Sequence, residues 1–257
     1  MLEKERCALI LRVLRQGRFV AVTDLAALTK ASEATLRRDL SRLAGDGLLR
    51  RVRGGAELAG APEATAAATV QLPFEYRKGI QLETKRAIAR RAAALCADGE
   101  TVLIDGGSTT FQMAEFLRSA RLQIITNSFA IAQSLAGRSG NTIILSGGIL
   151  YPDSQLVLDP FQDEAFRNYY AAKVFMGVYG IDELGATNTD HLLIKTERAM
   201  IEHAQALVVL ADSSKWGRRG SLLLCGLEKI HTLITDGGVT EEQRELASSR
   251  GVRLLVV

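Results

Sequence analysis

A short glycine- and hydroxyl-rich segment, residues 105–110 with the sequence DGGSTT, is the first part of the chain that could do chemistry. It follows the apolar run TVLI and precedes FQMAEFL, so we expect it to connect a strand to a helix. Glycines let backbone N–H groups approach a ligand, hydroxyl groups donate further hydrogen bonds, and a helix start favours negative charge. The segment therefore predicts a phosphate-binding loop. A tight strand-to-helix turn without a ligand uses the same residue types, so both interpretations stay open.

Two more polar turns follow the next two apolar runs. Asn127 and Ser128 come after QIIT, and Gly148 closes the turn SGG after TIIL. If these runs are parallel strands, their carboxyl ends meet at one edge of a sheet, where ligands of such sheets bind. We therefore expect these turns to lie beside residues 105–110.

A second kind of chemistry is predicted near the start of the chain, in the segment SEATLRRDLSRL at residues 32–43. With Leu36, Leu40 and Leu43 on the inner face of a helix that Ser32 caps, the outer face presents threonine and arginine side chains. Such a face fits the major groove of DNA, and arginines of a following hairpin reach the backbone or minor groove. The predicted DNA-binding residues are Ser32, Thr35, Arg37, Arg38, Arg42, Arg50, Arg51 and Arg53. A three-helix module that holds a protein partner is the alternative.

The net charge of +3 is unevenly distributed along the chain. Residues 1–56 carry twelve Lys and Arg against six Asp and Glu, a net charge of +6, and the remainder carries −3. A basic head on a mildly acidic body is expected of a chain that meets nucleic acid at one end. By charge alone, a solvated basic face explains the asymmetry equally well.

The elements that must position these residues follow from periodicity. Apolar residues spaced for one helical face predict a first helix ending near Gly17, two more helices follow, and GDGLLRRVRGGAEL predicts a hairpin with Gly54 and Gly55 at its turn. Beyond residue 80, helices alternate with continuous apolar strands, which indicates a parallel sheet covered on both faces. We predict a DNA-binding domain at 1–57, a linker at 58–73 and an α/β domain at 74–257.

Several other classes of site are disfavoured by composition. Cys7, Cys96 and Cys225 are odd in number and far apart, and the three histidines lack metal-ligand spacing. We expect neither metal nor cofactor. The charged first residues do not resemble a signal peptide, and no apolar run is long enough to span a bilayer, so a cytoplasmic protein with no membrane partner is predicted.

The segment LTKASEATLRRDLSRLAGDGLLRRVRGGA closely resembles the helix-turn-helix and wing of the DeoR family of transcriptional regulators. The resemblance continues through LIDGGSTT, ITNSFAIA, LSGGIL, KVFMGVYGID, RAMIEHA, VVLADSSKWGR and LITDGG. It implies an N-terminal winged helix-turn-helix and a C-terminal α/β sensor domain similar in fold to ribose-5-phosphate isomerase, glucosamine-6-phosphate isomerase and CoA transferases. Double-stranded operator DNA and a phosphorylated sugar or sugar acid are the implied partners.

The same resemblance implies where the effector binds. Residues 105–110 would form the phosphate loop, and Lys173 is open to a second interpretation as an exposed strand end. The implied effector-binding residues are Asp105, Gly106, Gly107, Ser108, Thr109, Thr110, Asn127, Ser128, Gly148, Lys173, Asp182, Asp190, Asp212 and Lys215.

One departure from the family pattern bears on the ligand. Many members carry an acid and a lysine where this chain has Leu193 and Glu197. The local sequence looks more like the ascorbate-utilisation repressor branch, which implies an acid-sugar or lactone phosphate.

Three functions are compatible with this organisation. A DNA-binding repressor released by an effector, as a homodimer or homotetramer, uses both domains. A sugar-phosphate isomerase or transferase would use only the larger domain. This alternative is based on the fold, and fold alone does not establish chemistry. A protein-interaction adaptor leaves the polar turns at the sheet edge unexplained. We predict the first and no enzymatic activity.

Overall fold

The computed structural model describes residues 1–17, 19–52, 54–59, 72–160 and 166–257. The described chain divides into two compact units, Met1–Gln81 and Leu82–Val257. Most of the predicted linker at 58–73, together with Arg53, lies outside the described residues.

The first unit is a small helical module with a three-stranded sheet. Its elements up to residue 58 are α1 (Glu3–Gly17), β1 (Phe19–Ala21), α2 (Val22–Thr29), α3 (Glu33–Gly45), β2 (Leu49–Val52) and β3 (Gly55–Leu58). Ile10, Leu14 and Leu25 from the first two helices meet Leu36 and Leu40 of α3 in one buried cluster. The predicted inner face of α3 is therefore confirmed.

Local interactions explain the ends of these helices. The Ser32 hydroxyl accepts a hydrogen bond from the backbone N–H of Thr35 at 3.2 Å, the cap expected for the start of α3. Lys30 adopts a left-handed conformation with φ of 56°, which makes the tight turn between α2 and α3. Helix α2 begins without a side-chain cap, because Ala21 holds the N-cap position.

The wing is an antiparallel sheet with the strand order β1-β3-β2. Val52 pairs with Gly55 across the hairpin turn, and Gly54 takes a φ of +82° that favours glycine. The hairpin is as predicted. Strand β1 was not predicted, because three residues are too few to show an alternating pattern.

A short helix, α4 (Phe74–Arg77), follows the undescribed part of the connection. Leu72, Tyr76 and Ile80 pack against the hydrophobic cluster of the first unit. Residues 72–80 are thus part of the compact unit that carries the helix-turn-helix.

The second unit is built on a seven-stranded sheet. Its strands are β4 (Thr101–Ile104), β5 (Gln123–Thr126), β6 (Thr142–Leu145), β9 (Ala171–Gly177), β12 (Ala204–Leu210), β14 (Thr232–Thr235) and β15 (Arg253–Val256). Every neighbouring pair in the order β15-β14-β12-β9-β4-β5-β6 is parallel. The strand order therefore reverses between β9 and β4, which is where ligands of such sheets bind.

Helices cover both faces of this sheet, as the continuous apolar strands predict. They are α5 (Leu82–Ala93), α6 (Met113–Phe116), α7 (Phe129–Leu135), α8 (His191–Glu202) and α9 (Glu241–Ser249), with single 3₁₀ turns at Thr110–Gln112, Ser213–Lys215 and Leu227–Lys229. On one face Ile88 of α5 contacts the cluster that contains Ile104. On the other face Met200 of α8 packs with Val174 and Val209.

Two small antiparallel sheets stand beside the parallel sheet. One is the hairpin of β7 (Ile149–Tyr151) and β8 (Leu156–Leu158), and the other joins β10 (Gly180–Asp182), β11 (Gly185–Asn188) and β13 (Leu222–Cys225). The sequence analysis did not predict them, because their strands have only three or four residues, too few to show a pattern. Among the described residues, no helix has the length and apolarity needed to cross a lipid bilayer.

Candidate functional site

The outer face of α3 presents the first group of predicted residues. Arg38 is exposed and makes neither an ion pair nor a hydrogen bond to another described residue. Arg37 is also exposed and pairs with Glu33 at 2.8 Å, a surface contact that contributes little to stability. Arg38 is thus an unengaged cation on the exposed face of a capped helix.

Arg42 has a different environment. Its guanidinium contacts the Glu3 carboxylate and donates a hydrogen bond to Sγ of Cys7 at 3.0 Å, both on α1. This side chain is half exposed, but it holds α1 against α3. Two of the predicted base-reading residues therefore differ, because α1 engages Arg42 and leaves Arg38 available.

The N-terminal turn of α3 carries the two predicted hydroxyl residues. The Ser32 hydroxyl lies 2.9 Å from the Thr35 hydroxyl and caps the helix, so its hydrogen-bonding capacity is partly used. Ser32 is exposed and Thr35 is half-buried. Thr35 is one turn of the helix before Arg38, and Ser32 lies at the start of the helix.

The two described wing arginines make short contacts with different neighbouring elements. Arg51 donates a hydrogen bond from Nη1 to the Ser41 hydroxyl of α3 at 2.7 Å. Arg50 pairs with the mostly buried Glu57 on the neighbouring strand at 2.7 Å. The structure thus brings Arg51 to the exposed surface of α3. The prediction for Arg53 falls outside the described residues.

The second group of predicted residues surrounds the reversal point between β4 and β9. Asp105 directly follows β4, and its backbone N–H donates to the carbonyl of Phe175 in β9 at 2.9 Å. A Cβ on Gly106 would lie 2.0 Å from Cδ2 of Leu156 and 3.2 Å from Cβ of Ser128, so a larger residue would displace the Leu156 side chain. The loop therefore packs tightly at the crevice.

A buried hydrogen-bond chain orders this loop. Nδ2 of Asn127 donates to Oδ1 of Asp105 at 2.8 Å, and Oδ1 of Asn127 accepts from the N–H of Gly106 at 2.8 Å. The ends of β4 and β5 are thereby joined. The predicted proximity of Asn127 to residues 105–110 is what the structure shows.

Inside the loop the hydroxyl groups divide into two kinds. The Thr110 hydroxyl accepts from the N–H of Gly107 at 2.8 Å and donates to its carbonyl at 3.0 Å, which closes the turn. The hydroxyls of Ser108 and Thr109 make no hydrogen bond to another described residue, although both residues are less than a tenth exposed. Neither oxygen is among the fully buried polar atoms that lack a partner, so both hydroxyls are accessible from solvent and are the groups of the loop best placed to meet a ligand.

Ser128 and Gly148 have structural roles next to the loop. The Ser128 hydroxyl accepts from the N–H of Ile131 at 3.2 Å and caps α7. Gly148 has a φ of +128°, and a Cβ there would lie 2.5 Å from the carbonyl oxygen of Leu158. Both positions are explained by local structure at the same sheet edge.

Lys173 does not join the cluster, and the assignment of this residue to the effector pocket is corrected. It lies near the amino end of β9, and its Nζ donates to both carboxylate oxygens of Glu100 at 2.7 and 2.8 Å. Since the loop follows the carboxyl end of β4 and the two strands are parallel, Lys173 is at the opposite edge. The strand-end interpretation is the one that fits.

Three of the predicted acids stabilise local turns. Asp190 caps α8 by accepting from the N–H groups of Leu192 and Leu193 at 2.9 and 3.0 Å, and Asp212 accepts from the N–H of Ser214 at 3.1 Å. Asp212 opens the 3₁₀ turn that contains Lys215, so it positions this lysine after β12.

Asp182 is the third of these acids, and it pairs with Arg219. Burial raises the pKa of Asp182, but hydrogen bonds from Arg219 and the N–H of Leu184 outweigh it and hold the pKa below its ordinary value. The carboxylate of Asp182 therefore stabilises the turn after β10 through these contacts.

The sequence analysis missed Glu197 as part of this region. Glu197 is 1% exposed in α8, and both its carboxylate oxygens accept from Nδ2 of Asn188 at 2.8 and 3.0 Å. Burial and then the negative charge of Asp105 raise the pKa of Glu197 well above its ordinary value. The sequence feature that could have identified Glu197 is that it stands where many family members carry a lysine.

Arg218 was missed for another reason. Its guanidinium carbon lies 4.5 Å from the centroid of the Tyr179 ring, and Tyr179 follows β9 at the reversal point. Nothing in the local sequence marks this pairing. Among the described residues, no group of three or more acidic, histidine or cysteine side chains could hold a metal ion.

The two units together define a class of protein: a winged helix-turn-helix that meets DNA, in one chain with an α/β unit of the ligand-sensing type. Residues 6–60 match the DeoR-like helix-turn-helix domain, and residues 80–237 match the DeoR C-terminal sensor domain. The chain belongs to the DeoR family of DNA-binding transcriptional regulators.

Named relatives extend over the whole chain. The HTH-type transcriptional repressor GlcR of Bacillus subtilis is 32% identical and covers 100% of this chain and 97% of its own. The HTH-type transcriptional regulator UlaR of Shigella dysenteriae is 31% identical over 100% of both chains. Because these identities are nearly equal, overall identity does not assign the chain to one branch.

The comparison with solved structures gives matches over parts of the chain. Ribose 5-phosphate isomerase A from Neisseria gonorrhoeae matches 52% of this chain and 53% of its own, with 18% identity and a TM-score of 0.37.

Proposed function

We propose that this protein is a transcriptional repressor whose first unit binds a double-stranded operator and whose second unit binds a phosphorylated sugar or sugar acid that releases it. The observation that carries the DNA-binding part is Arg38, exposed and unengaged among the described residues on a helix capped by Ser32. A guanidinium in that position can hydrogen-bond to base edges in the major groove. The relative named as a repressor supports the direction of regulation.

The effector-binding part rests on the loop after β4. Two accessible hydroxyls, on the mostly buried residues Ser108 and Thr109, have no partner among the described residues and lie at the strand-order reversal. Lys215 and Arg218 follow β12, the strand next to β9, and supply positive charge at the same edge of the sheet. Hydroxyl donors together with cations are suited to a phosphate dianion.

We further propose that the regulator acts as a symmetric homodimer or homotetramer. A single recognition helix contacts few base pairs, and two-fold symmetry doubles the site that is read. Sedimentation of the protein with and without operator tests this, and a monomer on DNA would contradict it.

The experiment for the proposed function begins with selection of binding sequences from random duplex DNA. Binding of the full chain to the selected duplex is then followed by fluorescence anisotropy while phosphorylated sugars and sugar acids are added singly. We expect one chemical family of these compounds to release the DNA, because an effector shifts the equilibrium only through different affinities for the two states. If every compound leaves the complex intact, the effector part of the proposal is wrong.

A sugar-phosphate isomerase is the second candidate, and one observation favours it. Glu197 is a buried acid whose pKa is well above its ordinary value, and perturbed acids of this kind occur in active sites. The DNA-binding unit has no part in such a reaction, and we propose that the chain has no catalytic activity. Conversion of any compound of the panel to its isomer by the full chain would contradict this view.

A further inference from the structure

The starting observation is an open edge of the parallel sheet. β6 is the last strand of that sheet and pairs only with β5 among the described strands. The N–H groups of Thr142 and Ser146 donate to carbonyl groups on the β5 side at 2.9 Å each. Because alternate residues of a strand direct their backbone groups to opposite sides, those of Ile143 and Leu145 point away from β5. Within the part of the chain that the structure describes, these outward groups have no hydrogen-bond partner.

This edge lacks the features that usually prevent one sheet from pairing with another. The sequence of β6, TIIL, contains no charge and no proline, whereas β15 at the opposite edge begins with the exposed Arg253. Leu145 is 38% exposed, and Ile149 and Leu150 in the hairpin that follows are exposed as well. We call β6 together with Ile149 and Leu150 the β6 edge. An apolar, uncharged edge strand is a template for a strand of another chain.

Exposed charges at the two ends of β6 indicate which strand fits. Before the strand, Arg138 is exposed, and the exposed Arg121 lies against Gly140. After the strand, residues 146–160 contain acids and no base, and Asp153 is exposed at the turn of the hairpin. An antiparallel β6 from a second copy brings the basic end of each strand towards the acidic hairpin of the other. A parallel copy would bring like charges together, which is destabilising.

We propose that the β6 edge is the surface on which a second copy of this chain docks, with the two β6 strands paired antiparallel about a two-fold axis. The inference rests on the symmetric oligomer of the proposed function and locates one of its interfaces. The pairing is self-complementary, because each copy supplies the same outward donors and acceptors, those of Ile143 and Leu145. The contact also removes the exposed apolar side chains of the β6 edge from water.

Fluorescence-detected sedimentation of the full chain, from nanomolar to micromolar concentrations, tests the proposal with two matched variants. Leu145→Lys adds a charge at the end of β6, and Val256→Lys adds one at the end of β15, where Val256 is 39% exposed. We expect Leu145→Lys to raise the dissociation constant of one subunit contact at least roughly tenfold, because a symmetric interface contains the substitution twice. Val256→Lys should assemble as the wild type does.

The possible outcomes separate this inference from the proposed oligomer. A wild type that stays monomeric at every concentration would overturn both. A wild-type oligomer that Leu145→Lys leaves unchanged, or that both lysine variants weaken equally, would overturn the β6 edge as the interface and leave the proposed oligomer standing.

A second set of variants tests the antiparallel order and leaves β6 itself unchanged. At low ionic strength Arg138→Asp and Asp153→Arg should each weaken the contact, because each places like charges at both ends of the paired strands. The double variant exchanges the two charges and should return the dissociation constant to within about threefold of the wild-type value. A double variant that associates no better than the single variants would exclude the antiparallel pairing of the two β6 strands.

Discussion

Arg6 and Asp39 form a two-point ion pair that joins α1 to α3: Nε lies 2.5 Å from Oδ2 and Nη2 lies 3.3 Å from Oδ1. Both side chains are mostly buried, with 11% and 5% of their surface exposed. Asp39 belongs to the RRDL segment of α3 and directly follows the exposed Arg37 and Arg38. The pair therefore fixes the helix that carries Arg38 on the body of the first unit.

Removal of one partner of this pair should be costly. We expect Asp39→Ala to destabilise the first unit by about 3 to 5 kcal/mol, because Arg6 is left as a buried charge without its carboxylate. Glu33→Ala removes a surface ion pair on the same helix and should cost less than about 1 kcal/mol. Urea unfolding followed by circular dichroism measures the free energy of unfolding of both variants. Equal decreases would show that the Arg6–Asp39 pair contributes no more to stability than a surface ion pair.

Arg38 and Arg42 allow a comparison between an unengaged and an engaged arginine. Arg38→Ala should weaken specific operator binding by about 1 to 3 kcal/mol and relax selectivity at one base position. The fold should persist, because Arg38 has no partner among the described residues. Arg42→Ala should lower stability through the lost contacts with Glu3 and Cys7 and change base selectivity little.

Selection from random DNA with each variant measures base selectivity, and thermal unfolding measures stability. Arg12→Ala, at an exposed position of α1, is the control. Unchanged selectivity in the Arg38 variant would refute the placement of this side chain in the major groove.

Arg51 should act through the phosphate backbone. Each neutralised phosphate contact contributes roughly 0.9 to the slope of log affinity against log salt concentration. Arg51→Ala is therefore expected to lower this slope by about that amount and to weaken binding to all sequences alike. Anisotropy titrations at several salt concentrations provide the slope; loss confined to one base position would instead assign Arg51 to base reading.

The elements with strong periodicity were predictable from sequence, and the tertiary partners of single side chains were not. The leucines of α3, the hairpin around Gly54 and the seven parallel strands each follow from patterns of several residues. The three-residue strands and the ion pair between Arg6 and Asp39 arise from contacts between distant segments, which leave no local pattern.

The candidate sites show the same division. Asn127 joined the loop as predicted because both follow parallel strands, whereas Lys173 did not, because the family comparison located the strand but not which of its ends the lysine occupies. Arg42 was predicted to face outward, and the position of α1 draws it away. Such details depend on which element packs where.

Ser108 offers a test of effector sensing that leaves the DNA-binding unit intact. We expect Ser108→Ala to bind operator normally and to need at least roughly ten times more effector for release, because a hydrogen bond to a charged group contributes about 1.5 to 3 kcal/mol. Operator release by the effector found in the panel measures this. Ser249→Ala, whose hydroxyl donates to the Leu246 carbonyl in α9, is the matched control. Wild-type release in both variants would exclude Ser108 from the effector site.

The charge state of Glu197 leads to a pH-dependent prediction that needs no ligand. Its pKa in the folded protein is well above the ordinary value, first because of burial and then because of Asp105. Between the unfolded and the folded pKa the native state binds more protons than the unfolded state, so the free energy of unfolding falls as the pH rises. This loss approaches at most about 1.4 kcal/mol per pH unit for one proton.

Glu197→Gln has no proton to lose at this position and should escape that decline. We therefore expect the variant to gain stability relative to the wild type as the pH increases from about 5 towards neutrality, with the smallest difference at the acid end. Urea unfolding at a series of pH values measures the difference, and Glu202→Gln, an exposed acid on the same helix, should follow the wild type throughout. The first unit is identical in all three proteins, so its own pH dependence cancels in the comparison. Parallel curves for the wild type and Glu197→Gln would contradict the raised pKa of Glu197 in the folded protein.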